Sequence, residues 1–146
     1  MLRIMVDAEF CDGCMKCVKA CEQRFRPGSK AEVVSGEAPH SACFVKTDQE
    51  GRFVPAFCRR CPEPACRITC MSGAMKEDPD TGRLCYDKGQ CAACFMCVMN
   101  CPYGMPKPDP DGYGSVIKCD FCPELQLPAC VKACDQKAIY VAETKT

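Results

Sequence analysis

Residues 91–102, CAACFMCVMNCP, restrict what this chain can fold into more than any other stretch. Cys91, Cys94 and Cys97 stand at C-x2-C-x2-C spacing, Cys101 follows after three residues, and Pro102 stands directly behind it. That is the run that holds a 4Fe-4S cluster. Three thiolates on one tight loop cap three corners of a cubane. The fourth cysteine lies one helical turn beyond Cys97 and points elsewhere.

In two-cluster ferredoxins that fourth cysteine ligates the partner cluster, so one run calls for a second. The chain holds three more. Cys11, Cys14, Cys17 and Cys21 repeat the same spacing, with Gly13 allowing the loop to wrap closely around inorganic sulfide. Cys58, Cys61, Cys66 and Cys70 have a longer second gap, filled by Pro62 and Pro64, whose fixed φ lowers the entropy lost on ordering it. Cys119, Cys122, Cys130 and Cys134 are spread wider still, but Val131-Lys132-Ala133-Cys134 echoes Val18-Lys19-Ala20-Cys21.

Eighteen cysteines in 146 residues imply either a disulfide scaffold or a metal protein. The opening MLRIMVDAEF lacks a basic segment followed by an apolar one, so no secretory signal is expected. No apolar run approaches the roughly 18–20 residues of a membrane span. A cytoplasmic metal protein follows. Nineteen Lys and Arg balance 19 Asp and Glu, which predicts neither nucleic-acid nor membrane attraction. Thiolate-bound clusters, at about minus two each, make the loaded chain more acidic than this balance.

Between the runs the pattern is of short elements. Residues 1–6 alternate as a strand, 18–24 suit a short helix, and 42–47 with 52–57 read as two strands around a polar turn. Residues 83–86 and 138–142 are further strands, the last expected to pair with the N-terminal one. Residues 25–42 are turn-rich and read as a surface loop, with His40, the only histidine, solvated. Cys43 and Cys85 belong to no run and are expected as buried filler. Arg59 and Arg60 read as a solvated or partner-facing pair. The Pro- and Gly-rich stretch 102–114 is a cluster cover, a docking surface or a connector, and residues 115–118 resume an extended segment.

PACRITC with SGAM, then TGRLCYDKGQCAACFMCVMNCPYG, then KCDFCPELQLPACVKAC resemble, in order and loop length, the four-cluster iron-sulfur subunits of the dimethyl sulfoxide reductase electron-transfer family. The resemblance is greatest to the small soluble relays of carbon monoxide dehydrogenase, formate dehydrogenase, hydrogenase or aldehyde oxidoreductase. It implies an α+β fold of two nested bacterial-ferredoxin-like modules, each with two 4Fe-4S clusters, short helices and small antiparallel sheets. The outer module would comprise residues 1–57 and 103–146, the inner one 58–102. Carried onto this chain, Cys11, Cys14, Cys17 and Cys134 would hold one cluster, and Cys119, Cys122, Cys130 and Cys21 the second. Cys58, Cys61, Cys66 and Cys101 would hold the third, and Cys91, Cys94, Cys97 and Cys70 the fourth. The family usually places proline after several fourth cysteines, whereas Glu22, Met71 and Asp135 stand there and only Pro102 keeps it.

The function implied is a non-catalytic electron relay between a large redox catalytic subunit and a second carrier or flavoprotein, with any oligomer formed through the partner. No nucleophile, acid-base pair or open metal position is expected. The chain is short for the family, which favours a minimal soluble relay. Residues 102–110 and 123–128 are the expected docking faces. The alternatives are a free polyferredoxin or polymerising wire and, from another class, a structural zinc protein. Zinc favours separated C-x2-C pairs, unlike three cysteines in a row at that spacing.

Overall fold

A computed structural model describes residues 1–112 and 114–145. In chain order these form β1 (Leu2–Val6), a 3-10 turn (Ala8–Phe10), α1 (Lys16–Phe25), β2 (Phe44–Thr47), β3 (Phe53–Ala56), α2 (Ala65–Ile68), β4 (Met75–Glu77), β5 (Leu84–Tyr86), a second 3-10 turn (Lys88–Gln90), α3 (Met96–Asn100), β6 (Lys107–Pro108), β7 (Val116–Ile117), α4 (Ala129–Lys132) and β8 (Ile139–Glu143). Among the described residues the strands form four antiparallel pairs, β1 with β8, β2 with β3, β4 with β5 and β6 with β7. The chain is thus a small α+β protein, and the expected pairing of its two ends is present, with Leu2 opposite Glu143 and Val6 opposite Ile139. Among the described residues no helix is long and apolar enough to cross a membrane.

Two stretches build the same local structure. β1 leads through a 3-10 turn capped by Asp7, whose side chain accepts from the Glu9 N–H at 3.3 Å, into the first cysteine loop and α1. β5 leads through a turn capped by Asp87, which accepts from the Gly89 N–H at 3.0 Å, into the third loop and α3. Both turns are pinned alike: the Asp7 N–H donates to Ala138 O at 2.7 Å and the Asp87 N–H to Ala74 O at 2.8 Å. Ala138 and Ala74 each stand just ahead of the strand that pairs with β1 or β5, and α4 and α2 lead into those strands. α1 packs on α4, and α2 on α3.

The larger core gathers Val18, Val45, Phe57, Ile117 and Ile139 around Cys17, Cys21, Cys43 and Cys130; the smaller consists of Met75, Cys97 and Val116. β7 divides them, because successive strand residues face opposite ways and Val116 and Ile117 enter different cores. A buried aliphatic side chain contributes about 1.5–3 kcal/mol. The smaller core has two such side chains fully buried, Met75 and Val116, with Leu84, Tyr86, Phe95 and Val98 only partly buried against them.

Several local expectations need correction. Residues 25–42 are not merely a surface loop: Gly36, Ala38, His40, Ser41 and Ala42 are buried, and the Val45 N–H donates to Gly36 O at 2.9 Å. A Cβ on Gly36 would stand 1.9 Å from Val45 O, so only glycine fits. His40 is buried, not solvated, because Glu22 and Asp111 hold its two ring nitrogens, each at 2.9 Å. Cys43 is buried as expected, but Cys85 is exposed. It pairs with Lys76 on the outer face of a two-stranded hairpin, while Leu84 and Tyr86 pack on the smaller core. Arg60 is not a solvated partner to Arg59: its guanidinium lies 4.6 Å over the Phe121 ring and its Nη1 donates to Leu2 O at 2.5 Å.

Candidate metal centres

The two C-x2-C-x2-C loops share a backbone conformation. Gly13 and Ala93, after the first ligand positions, have φ of 74° and 56°, and Met15 and Phe95, immediately before α1 and α3, have φ of 61° and 55°. These left-handed residues turn the loop back on itself before each helix starts, which brings its three cysteines around one space. At Gly13 packing adds a second demand, since a Cβ there would lie 2.7 Å from the Phe53 ring. Ala93 is accommodated because Gly114 faces it.

Each loop closes around its cavity with a cysteine from another run. Cys11, Cys14 and Cys17 line one with Cys134, and Cys91, Cys94 and Cys97 line another with Cys70. The two are the same size, about 20 Å³ each. A third, wider cavity is ringed by Cys58, Cys61, Cys66 and Cys101, with Cys119 and Lys118 also on its wall. Cys119, Cys122 and Cys130 all lie close enough to Cys21 to feel its charge. Thus 12 cysteines of the runs line three cavities in fours, and the other four, Cys21, Cys119, Cys122 and Cys130, lie within reach of one another's charge. Among the described residues no three His, Cys, Asp or Glu side chains converge on a single-ion position. A cubane, with one thiolate at each of four irons, asks for sulfurs spread around a space in this way.

The thiols respond to burial and to each other. Burial pushes Cys119 up to about 12 and also raises Cys130, Cys66, Cys97, Cys122 and Cys11. Hydrogen bonding from Cys43, against the effect of burial, lowers Cys21 to about 7 and lowers Cys17 as well. The Ala42 N–H adds a bond to Cys21 Sγ at 3.2 Å. Burial also opposes ionisation of Cys70, but the Met75 amide and the Ser72 hydroxyl outweigh it and lower its pKa. Metal binding takes the thiolate form, so loading these sites releases protons that burial otherwise retains.

Three features around the cysteines escape a reading of the motifs. Lys118 is buried at 5% exposure, donates to Cys119 O at 2.9 Å, and acts on the Cys66 thiol by its charge. Glu22, where a proline is usual, is buried, bonding through Oε2 to the His40 N–H at 2.6 Å and through Oε1 to the Ser29 hydroxyl at 2.8 Å. Its departure from proline was the one visible signal. Arg24 forks onto Asp120 at 2.7 Å and Glu124 at 2.6 Å, tying α1 to the loop of the last run. This bond holds the Glu124 carboxyl down at about 2.

The family profile of the 4Fe-4S dicluster domain matches residues 49–144. The chain is 30% identical to the hydrogenase-2 operon protein HybA of Escherichia coli O157:H7, over 94% of this chain and 50% of that protein. It is 30% identical to the probable anaerobic dimethyl sulfoxide reductase chain YnfG of Escherichia coli K12, over 92% of this chain and 69% of that one. With the beta subunit of the NADH-dependent phenylglyoxylate dehydrogenase of Aromatoleum evansii it shares 33% identity, over 93% of this chain and 29% of the relative. The chain therefore spans half the length of HybA and under a third of the phenylglyoxylate dehydrogenase subunit. Among solved structures, a chain of the active-site complex BamBC of benzoyl coenzyme A reductase has a TM-score of 0.53 at 22% identity, covering 100% of this chain and 80% of that one, a likeness of fold.

Proposed function

The chain belongs to the 4Fe-4S dicluster domain family, and from that premise we propose that it is a non-catalytic electron relay carrying four 4Fe-4S clusters for an oxidoreductase complex. The observation that carries this reading is the exchange of fourth cysteines. Cys134 completes the group of the first loop and Cys70 that of the third, the arrangement a two-cluster ferredoxin uses. The same exchange supports two nested ferredoxin-like modules, residues 1–57 with 103–146 outside and 58–102 inside. The names of two relatives, a dimethyl sulfoxide reductase chain and a phenylglyoxylate dehydrogenase subunit, support a place in an oxidoreductase complex.

In this reading Cys11, Cys14, Cys17 and Cys134 hold one cluster, Cys119, Cys122, Cys130 and Cys21 the second, Cys58, Cys61, Cys66 and Cys101 the third, and Cys91, Cys94, Cys97 and Cys70 the fourth. Bound clusters supply one-electron redox chemistry. The chain's own residues space the groups and keep water from them. Cys17 and Cys21 are one helical turn apart on α1, Cys119 lines the cavity of the third group, and Cys66 stands within α2 with Cys70 just past its end. The four groups therefore form a series in which each neighbours the next. Lys118 places a cation between the second and third, buried Val18 packs beside Cys21 and Cys130 of the second, and buried Phe121 lines the cavity of the third.

The partners that fit are a redox catalytic subunit at one end and a second carrier at the other, with residues 102–110 and 123–128 contributing docking faces. Within the second of these Leu125 and Leu127 are exposed. Iron and acid-labile sulfide on anaerobically purified protein test the reading, with visible absorbance taken before and after dithionite. Four clusters require about 16 of each per chain and a brown band that bleaches. Zinc without sulfide would replace the relay by a structural zinc protein.

A further inference from the structure

Beside β1 lies a groove of about 760 Å³ that the cysteine groups do not use. One wall is the outer edge of β1. Met1 and Thr144 exchange backbone hydrogen bonds at 3.1 and 2.9 Å, and the Asp7 N–H donates to Ala138 O, so the alternation of an antiparallel pair turns Leu2, Ile4 and Val6 to the unpaired edge. Leu2 O takes Arg60 Nη1. Among the described residues the backbone groups of Ile4 and Val6 have no such partner. The opposite wall is apolar, with Phe44, Val54 and Ala56 of the β2–β3 hairpin. Pro55 on that side has no N–H to offer, so an incoming strand would pair with β1.

The charges in the groove have one sign. Arg3, Lys46 and Arg59 line it, and no acidic residue does among those described. Lys46 lies 4.9 Å from the Phe44 ring centre and Arg59 5.2 Å from that of Tyr103, which fixes both cations against the apolar surface. Arg3 Nη2 donates to Arg60 O at 3.4 Å, but its Nε is buried without a hydrogen-bond partner. A buried, unpaired guanidinium donor is costly and calls for an acceptor.

We propose that this groove takes an extended segment of a partner protein, which adds a strand to the open edge of β1 and sets carboxylate side chains against Arg3, Lys46 and Arg59. Main-chain pairing supplies affinity and the cations select the acidic segment. The groove shares Arg59, Pro102, Tyr103 and Met105 with the cavity ringed by Cys58, Cys61, Cys66 and Cys101. The docked partner therefore stands beside the third group, and its being a redox protein rests on the relay reading; the groove's preference for an acidic strand does not.

The test uses the whole iron-loaded chain and two fluorescein-labelled, N-acetylated hexapeptides, one alternating valine with glutamate and the other valine with lysine. Anisotropy should show the glutamate peptide binding roughly tenfold or more tighter, weakening with salt, and hydrogen exchange should slow in residues 2–7. Lys46→Glu with Arg59→Glu, both exposed positions, should reverse the preference. Equal binding of the two peptides, no binding, or an unchanged preference in the double variant overturns the proposal. Iron content measured on the same samples keeps the two readings apart. A chain without iron would end the relay, whereas the peptide comparison alone decides the groove.

Discussion

The pair α1 and α4 and the pair α2 and α3 carry cysteines at the same C-x3-C spacing, yet they are dressed differently. Between or just behind its cysteines the first pair presents Lys19, Lys132 and Asp135 to solvent. At the matching positions the second presents Met99, Ile68 and Met71, at 69%, 65% and 78% exposure. Inside, the first pair packs on the larger core and is tied down by Arg24 and by the Glu22–His40 bonds. The second has Met75, Val116 and one of its own cysteines. The difference teaches where cohesion comes from: around α1 and α4 protein packing shares the task with the metal sites, and around α2 and α3 the metal sites are most of the interior.

Iron removal should separate the two regions most. Anaerobic chelation is expected to abolish hydrogen-exchange protection across residues 65–101 and to leave measurable protection in β1, β8 and α1, because only the latter keep an aliphatic core. Equal loss in both, followed by mass spectrometry, would break the comparison. Next in size, Glu22→Ala leaves buried His40 facing an empty acceptor site. Leaving buried donors without their acceptor costs about 1–3 kcal/mol, expected as faster denaturant-induced bleaching in absorbance. Pro102→Ala, at the matching position in the other region, should change the same rate far less, since no comparable network meets it.

Lys118 stands where the regions meet, near Cys66 of one and Cys119 of the other. Lys118→Met removes a positive charge that favours the reduced, more negative state. The midpoint potentials of the two flanking clusters should fall, on the order of tens of millivolts at an interior effective dielectric of about 20. A redox titration followed by electron paramagnetic resonance reads this, and the outer two clusters should hold their values. An unshifted pair would show that the charge acts elsewhere.

What the sequence made legible follows the range of each interaction. Cysteine spacing, the αL-permitting Gly13 and the alternation in residues 2–6 are set by neighbours along the chain, and the small α+β fold with paired ends could be read from them. His40 could not. Its ring is held by Glu22, 18 residues away, and Asp111, 71 residues away, so no window around residue 40 contains the reason for its burial. Cys85 failed for a similar reason, because which face of a two-stranded hairpin is covered depends on what packs against it. Lys118 looks like an ordinary lysine beside a motif until the second run is folded onto the fourth.

The closest comparison lies in the loops themselves, since Gly13 and Ala93 occupy the same left-handed position in the two. A side chain in that conformation costs about 1–2 kcal/mol. At Gly13 a Cβ would also strike the Phe53 ring, and forced overpacking costs a further 1–3 kcal/mol or about that. Stiffening the unfolded chain returns about 0.4–1 kcal/mol, so Gly13→Ala should destabilise the loaded protein by about 1–4.6 kcal/mol. Ala93→Gly removes the strain but frees the unfolded chain, which returns about 0.4–1 kcal/mol of it, and should end between neutral and about 1.6 kcal/mol stabilising. Thermal bleaching midpoints under argon give both. If Gly13→Ala were as mild as Ala93→Gly, Phe53 would be yielding to the added methyl, and the larger core would be softer beside its cysteine loop than its packing implies.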